Sequence, residues 1–163
     1  MIRRLATQSD LPRIVEIYNA TVASRMVTAD TEPVTVEARA HWFRAHAPDF
    51  RPLWVVEECN QVVGWLSFST FYGRPAYHRT AEISIYVHQD HRRRHIGQNL
   101  LRDAITHAPS LGVDVLLGFV FMHNTPSVTL FQGLGFARWG HLPRVARLDH
   151  ADRDLLILGL HVV

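Results

Sequence analysis

A strand, a basic loop and a helix follow one another in the stretch Val87-His88-Gln89-Asp90-His91-Arg92-Arg93-Arg94-His95-Ile96-Gly97-Gln98-Asn99-Leu100-Leu101. Apolar residues alternate at Ile83, Ile85 and Val87, which is the period of a half-buried strand. After the loop, apolar residues recur at the spacing of an amphipathic helix. The first N–H groups of a helix have no intrahelical partners and lie at the positive end of its dipole. Because arginine adds forked donors that match phosphate oxygens, we predict a phosphate site at Arg92–Gly97.

Length and composition fit one ordinary globular domain over residues 1–163. The chain has 47% hydrophobic and 20% charged residues, and its net charge of +2 gives no global argument for nucleic-acid binding. No apolar run approaches the roughly 20 residues of a membrane span, and Met1–Thr7 has no signal-peptide pattern. The single cysteine, Cys59, is typical of a reducing compartment, so we expect a cytoplasmic protein without a membrane partner.

The remaining segments alternate between strand and helix patterns. A helix is expected to begin at Asp10-Leu11-Pro12, with Asp10 as its N-cap, and a hairpin is expected around Glu58-Cys59-Asn60-Gln61. The other predicted elements are strands at 2–5, 53–57, 62–68, 80–87, 113–121, 138–145 and 155–162, and helices at 36–46 and 124–134. This order, β-α-α-β-β-β-α-β-α-β-β, indicates an α+β fold built around one mixed sheet.

A second motif lies in Asn124-Thr125-Pro126-Ser127-Val128-Thr129-Leu130-Phe131-Gln132-Gly133-Leu134-Gly135-Phe136. An Asn cap, an early proline and a terminal glycine predict a short capped helix. The segment resembles the pattern Asn-x-x-Ser-x-x-Leu-Tyr-x-x-Leu-Gly-Phe of the GNAT superfamily of N-acetyltransferases. The basic loop resembles that superfamily's pyrophosphate motif, Gln/Arg-x-x-Gly-x-Gly/Ala, with His95 at its first glycine.

Scattered matches are similar to one branch of the superfamily, the phosphinothricin and methionine sulfoximine acetyltransferases. They are Arg3-x-Ala-Thr, Asp10-x-Pro12, Ile17-Tyr18-Asn19, Thr31-Glu32-Pro33, Arg74-x-Ala76-Tyr77-x-x-Thr80-x-Glu82, Tyr86-Val87 and Pro126-Ser127-Val128. The resemblance implies a mostly antiparallel mixed sheet of about seven strands with about four helices. It also implies acetyl transfer from acetyl-CoA, without a metal, to the primary amine of a small amino-acid-like acceptor, in an enzyme that is usually a homodimer.

By the same resemblance, acetyl-CoA is expected to contact the end of the central strand, the basic loop and the second motif. The residues expected there are Tyr86, Val87, His88, Arg92, Arg93, Arg94, His95, Ile96, Gly97, Gln98, Asn124, Ser127 and Phe131. Many relatives have tyrosine at the position of Phe131, where its hydroxyl can protonate the departing thiolate. Since phenylalanine has no such proton, we expect water to be the donor. His95 stands at a helix start, where we expect a negative φ that any residue tolerates.

Glu82 is the expected catalytic base. An alkylammonium must lose a proton before it can attack a thioester. A carboxylate in an apolar strand is costly to bury unless it is paired, so its presence there indicates a function or a partner. Strand alternation places Glu82, Ser84 and Tyr86 on one face. The structural alternative is a salt bridge from Glu82 to Arg74 or Arg79. The resemblance further implies that the backbone N–H of Val87 polarises the thioester carbonyl.

Acceptor recognition is expected from the loop before the central strand. There the forked donors of Arg74 suit a carboxylate, and Tyr77 lies close by; His141 is a further candidate as an auxiliary base. The spacing His88-x-x-His91-x-x-x-His95 is compatible with a metal but lacks cysteine and has Asp90 as its one acid, so we predict no metal. RNA binding by the arginines, a peptide or protein N-acetyltransferase and a non-catalytic acyl-CoA binder stay as alternatives.

Overall fold

The computed structural model describes all residues, 1–163, and its centre is one seven-stranded sheet of order β1-β2-β3-β4-β5-β7-β6. The strands are β1 (Ile2–Leu5), β2 (Leu53–Glu58), β3 (Gln61–Thr70), β4 (Thr80–Val87), β5 (Val115–Phe121), β6 (Ala137–Leu148) and β7 (Ala151–His161). The helices are α1 (Leu11–Val22), α2 (Val36–Arg44), α3 (Ile96–His107) and α4 (Thr125–Gly133). The predicted mixed fold of seven strands and four helices is confirmed.

Each face of the sheet carries its own hydrophobic cluster because strand residues alternate between faces. On one face, Leu66, Phe68 and Ile83 pack against Leu100 and Leu101 of α3 in the larger cluster. The opposite face holds a smaller cluster of β2 and β3 side chains under Ile14, Ile17 and Tyr18 of α1. The smaller cluster is flanked by Trp42 and Phe43 of α2 and by Tyr86 of β4. The two helix layers thus cover opposite faces of β4.

β4 and β5 form the one parallel pair of neighbouring strands, and they stay paired for only part of their length. Thr80, Ala81 and Glu82 lie opposite Val115, Leu116 and Leu117, and the pairing ends there. Residues 83–87 of β4 and 118–121 of β5 continue without pairing to each other. The strands therefore part like the arms of a V, and we call the space between them the β4–β5 cleft.

Several element ends differ from those predicted. Asp10 occupies the predicted N-cap position of α1, but its side chain makes no capping hydrogen bond to that helix. It also ends a short 3₁₀ turn (Gln8–Asp10), and its side chain accepts hydrogen bonds from the Thr7 N–H at 2.7 Å and from Arg4. β6 and β7 are longer than expected and are joined at Asp149-His150, where Asp149 has a φ of 54°. None of the helices has the length and apolar character that crossing a bilayer requires.

Candidate functional site

The β4–β5 cleft is lined by both diverging strands and by the start of α4. Its walls enclose about 380 Å³ of open space and are formed by Val27, Ile83, Ser84, Ile85, Tyr86, Phe119, Val120, Asn124, Ser127 and Phe131. The N–H of His88 donates to the Val63 carbonyl at 2.8 Å, and backbone groups alternate sides along an antiparallel strand. The N–H of Val87 consequently points away from β3, toward the side where β5 has parted. This backbone donor is therefore directed toward the side of β4 on which the cleft lies, and its role stays a prediction.

The basic loop enters α3 through two left-handed residues. Arg93 has a φ of 60° and His95 a φ of 59°. The prediction of a negative φ at His95 is wrong, because the chain turns sharply before Ile96 and His95 adopts the left-handed conformation there as the N-cap of α3. A glycine fits that conformation without steric cost, whereas an L-residue is strained. The imidazole is exposed and its Nδ1 lies 2.9 Å from the Gln98 side-chain oxygen.

The three arginines of the loop do not have equal freedom. Arg94 forms a two-pronged ion pair with Glu58 of β2, with N–O distances of 2.8 and 2.7 Å. The charge and hydrogen bonds of Arg94 hold the pKa of the Glu58 carboxyl below its usual range. Arg92 and Arg93 are exposed and form no ion pair. Two guanidinium groups are thus available to an anion at the start of α3, and the third fastens the loop to the β2–β3 hairpin.

α4 brings the second motif to the wall of the cleft. Asn124 is buried and caps the helix, and its side-chain oxygen accepts a hydrogen bond from the Ser127 N–H at 3.3 Å. The ring of Phe131 lies directly against Gly118 of β5, where an added Cβ would be 2.5 Å from its Cε1. The absence of a side chain at position 118 therefore lets α4 sit close to β5. Phe131 is 4% exposed and packs edge-to-face on Phe136 at 4.9 Å.

A second pocket lies on the other face of β4, under α1 and α2, and we call it the acceptor-side pocket. It encloses about 510 Å³ of open space and is lined by Tyr18, Arg39, Trp42, Trp65, Ser67, Ser69, Glu82, Ser84 and Tyr86. The β3–β4 register sets Ser69 beside Glu82 and Ser67 beside Ser84. Ser84 and Tyr86 line both this pocket and the β4–β5 cleft. The two spaces consequently meet at the central strand.

Glu82 is the one carboxylate in the lining of the acceptor-side pocket, and it has no partner. Burial alone raises the pKa of its carboxyl above the ordinary carboxylate range. The alternative role of Glu82, a salt bridge to Arg74 or Arg79, does not occur, because Arg79 forms its ion pair with Asp114 and Arg74 forms no ion pair. An unpaired, half-buried carboxylate with a raised pKa is suited to accept a proton from a bound group.

Three predicted acceptor residues lie outside this pocket. Arg74 is exposed on the loop before β4, and Tyr77 packs edge-to-face on Phe71 at 5.4 Å. His141 lies on the outer strand β6, where its Nε2 is 2.6 Å from Asp154. Their roles as acceptor contacts stay predictions.

Most of the residues that form the walls of the acceptor-side pocket were not predicted from the sequence. Tyr18 and Trp42 occur on apolar helix faces and are indistinguishable from core residues without a tertiary structure. Arg39 lies on α2 among other charged residues, and nothing in the neighbouring sequence indicates that it lines a pocket. A signal did exist in β3, where Trp65, Ser67 and Ser69 alternate with apolar residues and form a face that is too polar for a core.

A cleft between parted parallel strands, a helix start with free N–H groups beside it and a carboxylate on the strand between two pockets together suit an enzyme that transfers a group from an anionic donor to a second ligand. The sequence profile of the acetyltransferase (GNAT) family matches residues 14–136, and the chain belongs to that family. The protein is an acetyl-CoA-dependent N-acetyltransferase.

Several relatives match along nearly the whole chain. YwnH of Bacillus subtilis (strain 168), named as a candidate phosphinothricin acetyltransferase, is 52% identical over 160 residues, 98% of each chain. A protein of Pseudomonas paraeruginosa named L-methionine sulfoximine/L-methionine sulfone acetyltransferase is 30% identical over 98% of this chain and 93% of its own. The structure of yncA from Salmonella typhimurium with its cofactor acetyl-CoA superposes with a TM-score of 0.94 at 29% identity, covering 100% and 94% of the two chains.

Proposed function

We propose that the protein transfers the acetyl group of acetyl-CoA to the primary amine of a small amino-acid-like acceptor, with Glu82 as the general base. The observation that carries this proposal is that Ser84 and Tyr86 of β4 line both pockets, while the unpaired carboxylate of Glu82 lies in the acceptor-side pocket. The Val87 N–H, turned away from β3 near the end of the same strand, is the donor that we propose for the thioester oxygen. The names of the relatives in Bacillus subtilis and Pseudomonas paraeruginosa support an acceptor of this class.

In the proposed reaction the acceptor enters as an ammonium ion. Glu82 takes one of its protons, and the freed nitrogen lone pair attacks the thioester carbonyl carbon. The carbonyl oxygen becomes an oxyanion that accepts a hydrogen bond from the Val87 N–H. When the intermediate collapses, the carbon–sulfur bond breaks, the thiolate of coenzyme A departs and is protonated by water, and the second amine proton passes to solvent.

For the donor, we propose that the pyrophosphate lies at the start of α3. The residues 92–97 supply backbone N–H groups, and the left-handed turns at Arg93 and His95 direct successive N–H groups to one side. Arg92 and Arg93 add charge, whereas Arg94 contributes mainly by fastening the loop through Glu58. Asn124, Ser127 and the ring face of Phe131 would border the rest of the coenzyme in the cleft.

For the acceptor, we propose that the amine binds beside Glu82 and that the α-carboxylate is directed out of the acceptor-side pocket toward the loop of Arg74 and Tyr77. An exposed arginine fork close to the start of β4 is suited to a carboxylate. The pocket lies under α1 and α2, and its open volume of about 510 Å³ is in the range of small-molecule sites. This geometry favours a free amino acid analogue over a peptide.

The test is a screen of acceptors with detection of released coenzyme A thiol. We expect turnover with free amino acids or their analogues and a much lower rate with peptides that bear the same amine. Faster turnover with peptides would identify a peptide N-acetyltransferase instead. Tight acetyl-CoA binding without turnover on any amine would identify a non-catalytic acyl-CoA binder.

We also propose a cytoplasmic homodimer. β6 is an outer strand of the sheet, and it exposes Trp139, Leu142 and Val145 to 45%, 39% and 55%. A long outer strand with apolar side chains is prone to association and is normally covered. Sedimentation should show twice the mass of one chain, and Trp139→Glu should shift the protein toward the monomer.

A further inference from the structure

The acceptor-side pocket has two charged residues in its lining, and they have opposite signs. Glu82 lies on the β4 strand, and Arg39 reaches in from α2. Building on the proposed function, we propose that Arg39 is a specificity-determining residue. It binds an oxygen-bearing group (sulfonyl, phosphinyl or carboxylate) at the far end of the acceptor side chain. The enzyme consequently prefers such acceptors to hydrocarbon or thioether side chains of the same length.

Aromatic rings fix the position of the Arg39 guanidinium. Its carbon Cζ lies 4.5 Å from the Tyr18 ring centroid and 5.5 Å from that of Trp42. These rings belong to a continuous aromatic wall, in which Trp65 stacks on Tyr86 at 4.5 Å and meets Trp42 edge-to-face at 5.6 Å. A guanidinium held against ring faces loses less freedom when it binds a ligand, so its donors are prearranged.

Arg39 also has hydrogen-bond donors to spare. Its one ion-pair contact is Nη2 to the Asp30 carboxylate at 3.3 Å, and Asp30 is at the same time an acceptor for the Tyr18 hydroxyl. A guanidinium has five N–H donors, so most of them remain for other partners. The Arg39 side chain is only 26% exposed. A partly buried cation with free donors at the wall of a pocket is suited to bind acceptor oxygens.

The positions of the two charges determine the orientation of the acceptor. The amine must approach Glu82, because the acetyl group arrives through the β4–β5 cleft on the other side of β4. The carboxylate faces outward to the loop of Arg74, which leaves the side chain to run along the aromatic wall toward Arg39. Methylene groups pack well on ring faces, and the group at their end meets the guanidinium. A side chain that ends in an ammonium would be repelled there, so lysine-like side chains are disfavoured.

The experiment compares methionine sulfone with methionine, which differ only by the two sulfonyl oxygens. For the unaltered enzyme we expect a higher kcat/KM for methionine sulfone. Arg39→Met should lower that value by about 10- to 100-fold through KM, as expected for the loss of a hydrogen bond to a charged group, and should change the value for methionine by less than about threefold. Arg39→Lys keeps the charge but not the fork, and it should retain part of the preference.

Two further variants serve as controls. Arg44→Met removes an exposed arginine of the same helix and should leave both substrates unchanged, whereas Arg74→Met should weaken both equally. Thermal unfolding and acetyl-CoA binding are measured for every variant, and Arg39→Lys provides the comparison if Arg39→Met does not fold. Equal losses on both acceptors in the Arg39 variants, or an unaltered enzyme without any preference, would overturn the assignment of Arg39. An unaltered enzyme that acetylates neither acceptor but acetylates peptides would refute the proposed function itself.

Discussion

Replacing Glu82 with glutamine tests the proposed reaction at its central step. Glutamine has nearly the same shape, so the acceptor-side pocket and the β4–β5 cleft should persist, but its amide cannot take a proton. The other ionisable groups of that pocket are two tyrosines, whose pKa values burial raises, and Arg39, so none replaces the lost base. The variant must then use the acceptor that is already deprotonated in solution.

The size of the effect follows from the acceptor. An alkylamine with a pKa near 10 is about one part in 10³ free at pH 7. We therefore expect turnover of Glu82→Gln at pH 7 to fall by about 10²–10⁴, and acetyl-CoA affinity to stay within about twofold. The rate of the variant should rise about tenfold per pH unit up to pH 10. In the unaltered enzyme, burial raises the pKa of Glu82, so its acid limb should lie above the ordinary carboxyl range.

The free energy of unfolding offers an independent test, because Glu82→Gln should be more stable than the unaltered protein although its turnover is lower. Because the folded state raises the pKa of Glu82 by burial, it favours the protonated carboxyl. The unaltered protein should therefore lose unfolding free energy as the pH rises from 4.5, the ordinary value, through the raised pKa. Glu82→Gln has no such loss and should be the more stable protein at pH 8, with the difference vanishing in acid.

The assay is the release of coenzyme A thiol over pH 6–10, with Glu37→Gln on the exposed face of α2 as the matched control. Unchanged turnover of Glu82→Gln at pH 7 would refute the assignment, as would a rate that does not rise with pH. A variant that is less stable than the unaltered protein at pH 8 would show that Glu82 has a structural partner in solution.

Three other predictions concern single residues. His95→Gly keeps a left-handed φ that glycine adopts freely, so calorimetry should find acetyl-CoA affinity changed by less than about threefold; a tenfold gain would mean that the imidazole obstructs the site. Gly118→Ala puts a Cβ at 2.5 Å from the Phe131 ring and should cost about 1–3 kcal/mol in urea unfolding while weakening acetyl-CoA binding. Gly133→Ala, which meets nothing within 4 Å, is the control and should do neither. The pKa of Asp10 is lowered to about 2 by hydrogen bonds from a β1 arginine and a neighbouring backbone N–H. Asp10→Asn should therefore lower the free energy of unfolding by roughly 2 kcal/mol at pH 7. Since that contribution is present above pH 3.8 and lost as the pH falls toward 2, acid titration of both proteins should show their unfolding curves converge.

Local patterns in the sequence were enough to predict the order of strands and helices, the basic loop before α3 and the capped helix α4. Strand alternation through Ile83, Ile85 and Val87 identified the central strand, and the helix that follows the arginines was evident from its apolar period. The Asn124 cap and the hairpin turn at Cys59-Asn60, where φ is 50° and 61°, depend on neighbouring residues only. Interactions of this kind are short in sequence, so the order of residue types records them.

Tertiary structure alone decided which residues line the acceptor-side pocket. Arg39 and Trp42 lie on a helix far from Glu82 in sequence, and only the docking of α1 and α2 over β3 and β4 brings them to one pocket. The pairing of Arg94 with Glu58 depends in the same way on where the β2–β3 hairpin lies. The left-handed φ of His95 also depends on the tertiary structure, because it follows from the direction in which the loop enters α3. A periodic pattern shows which face of an element is apolar. Which faces meet is decided by register and packing between segments that are far apart in sequence, and no local pattern of residues records those contacts.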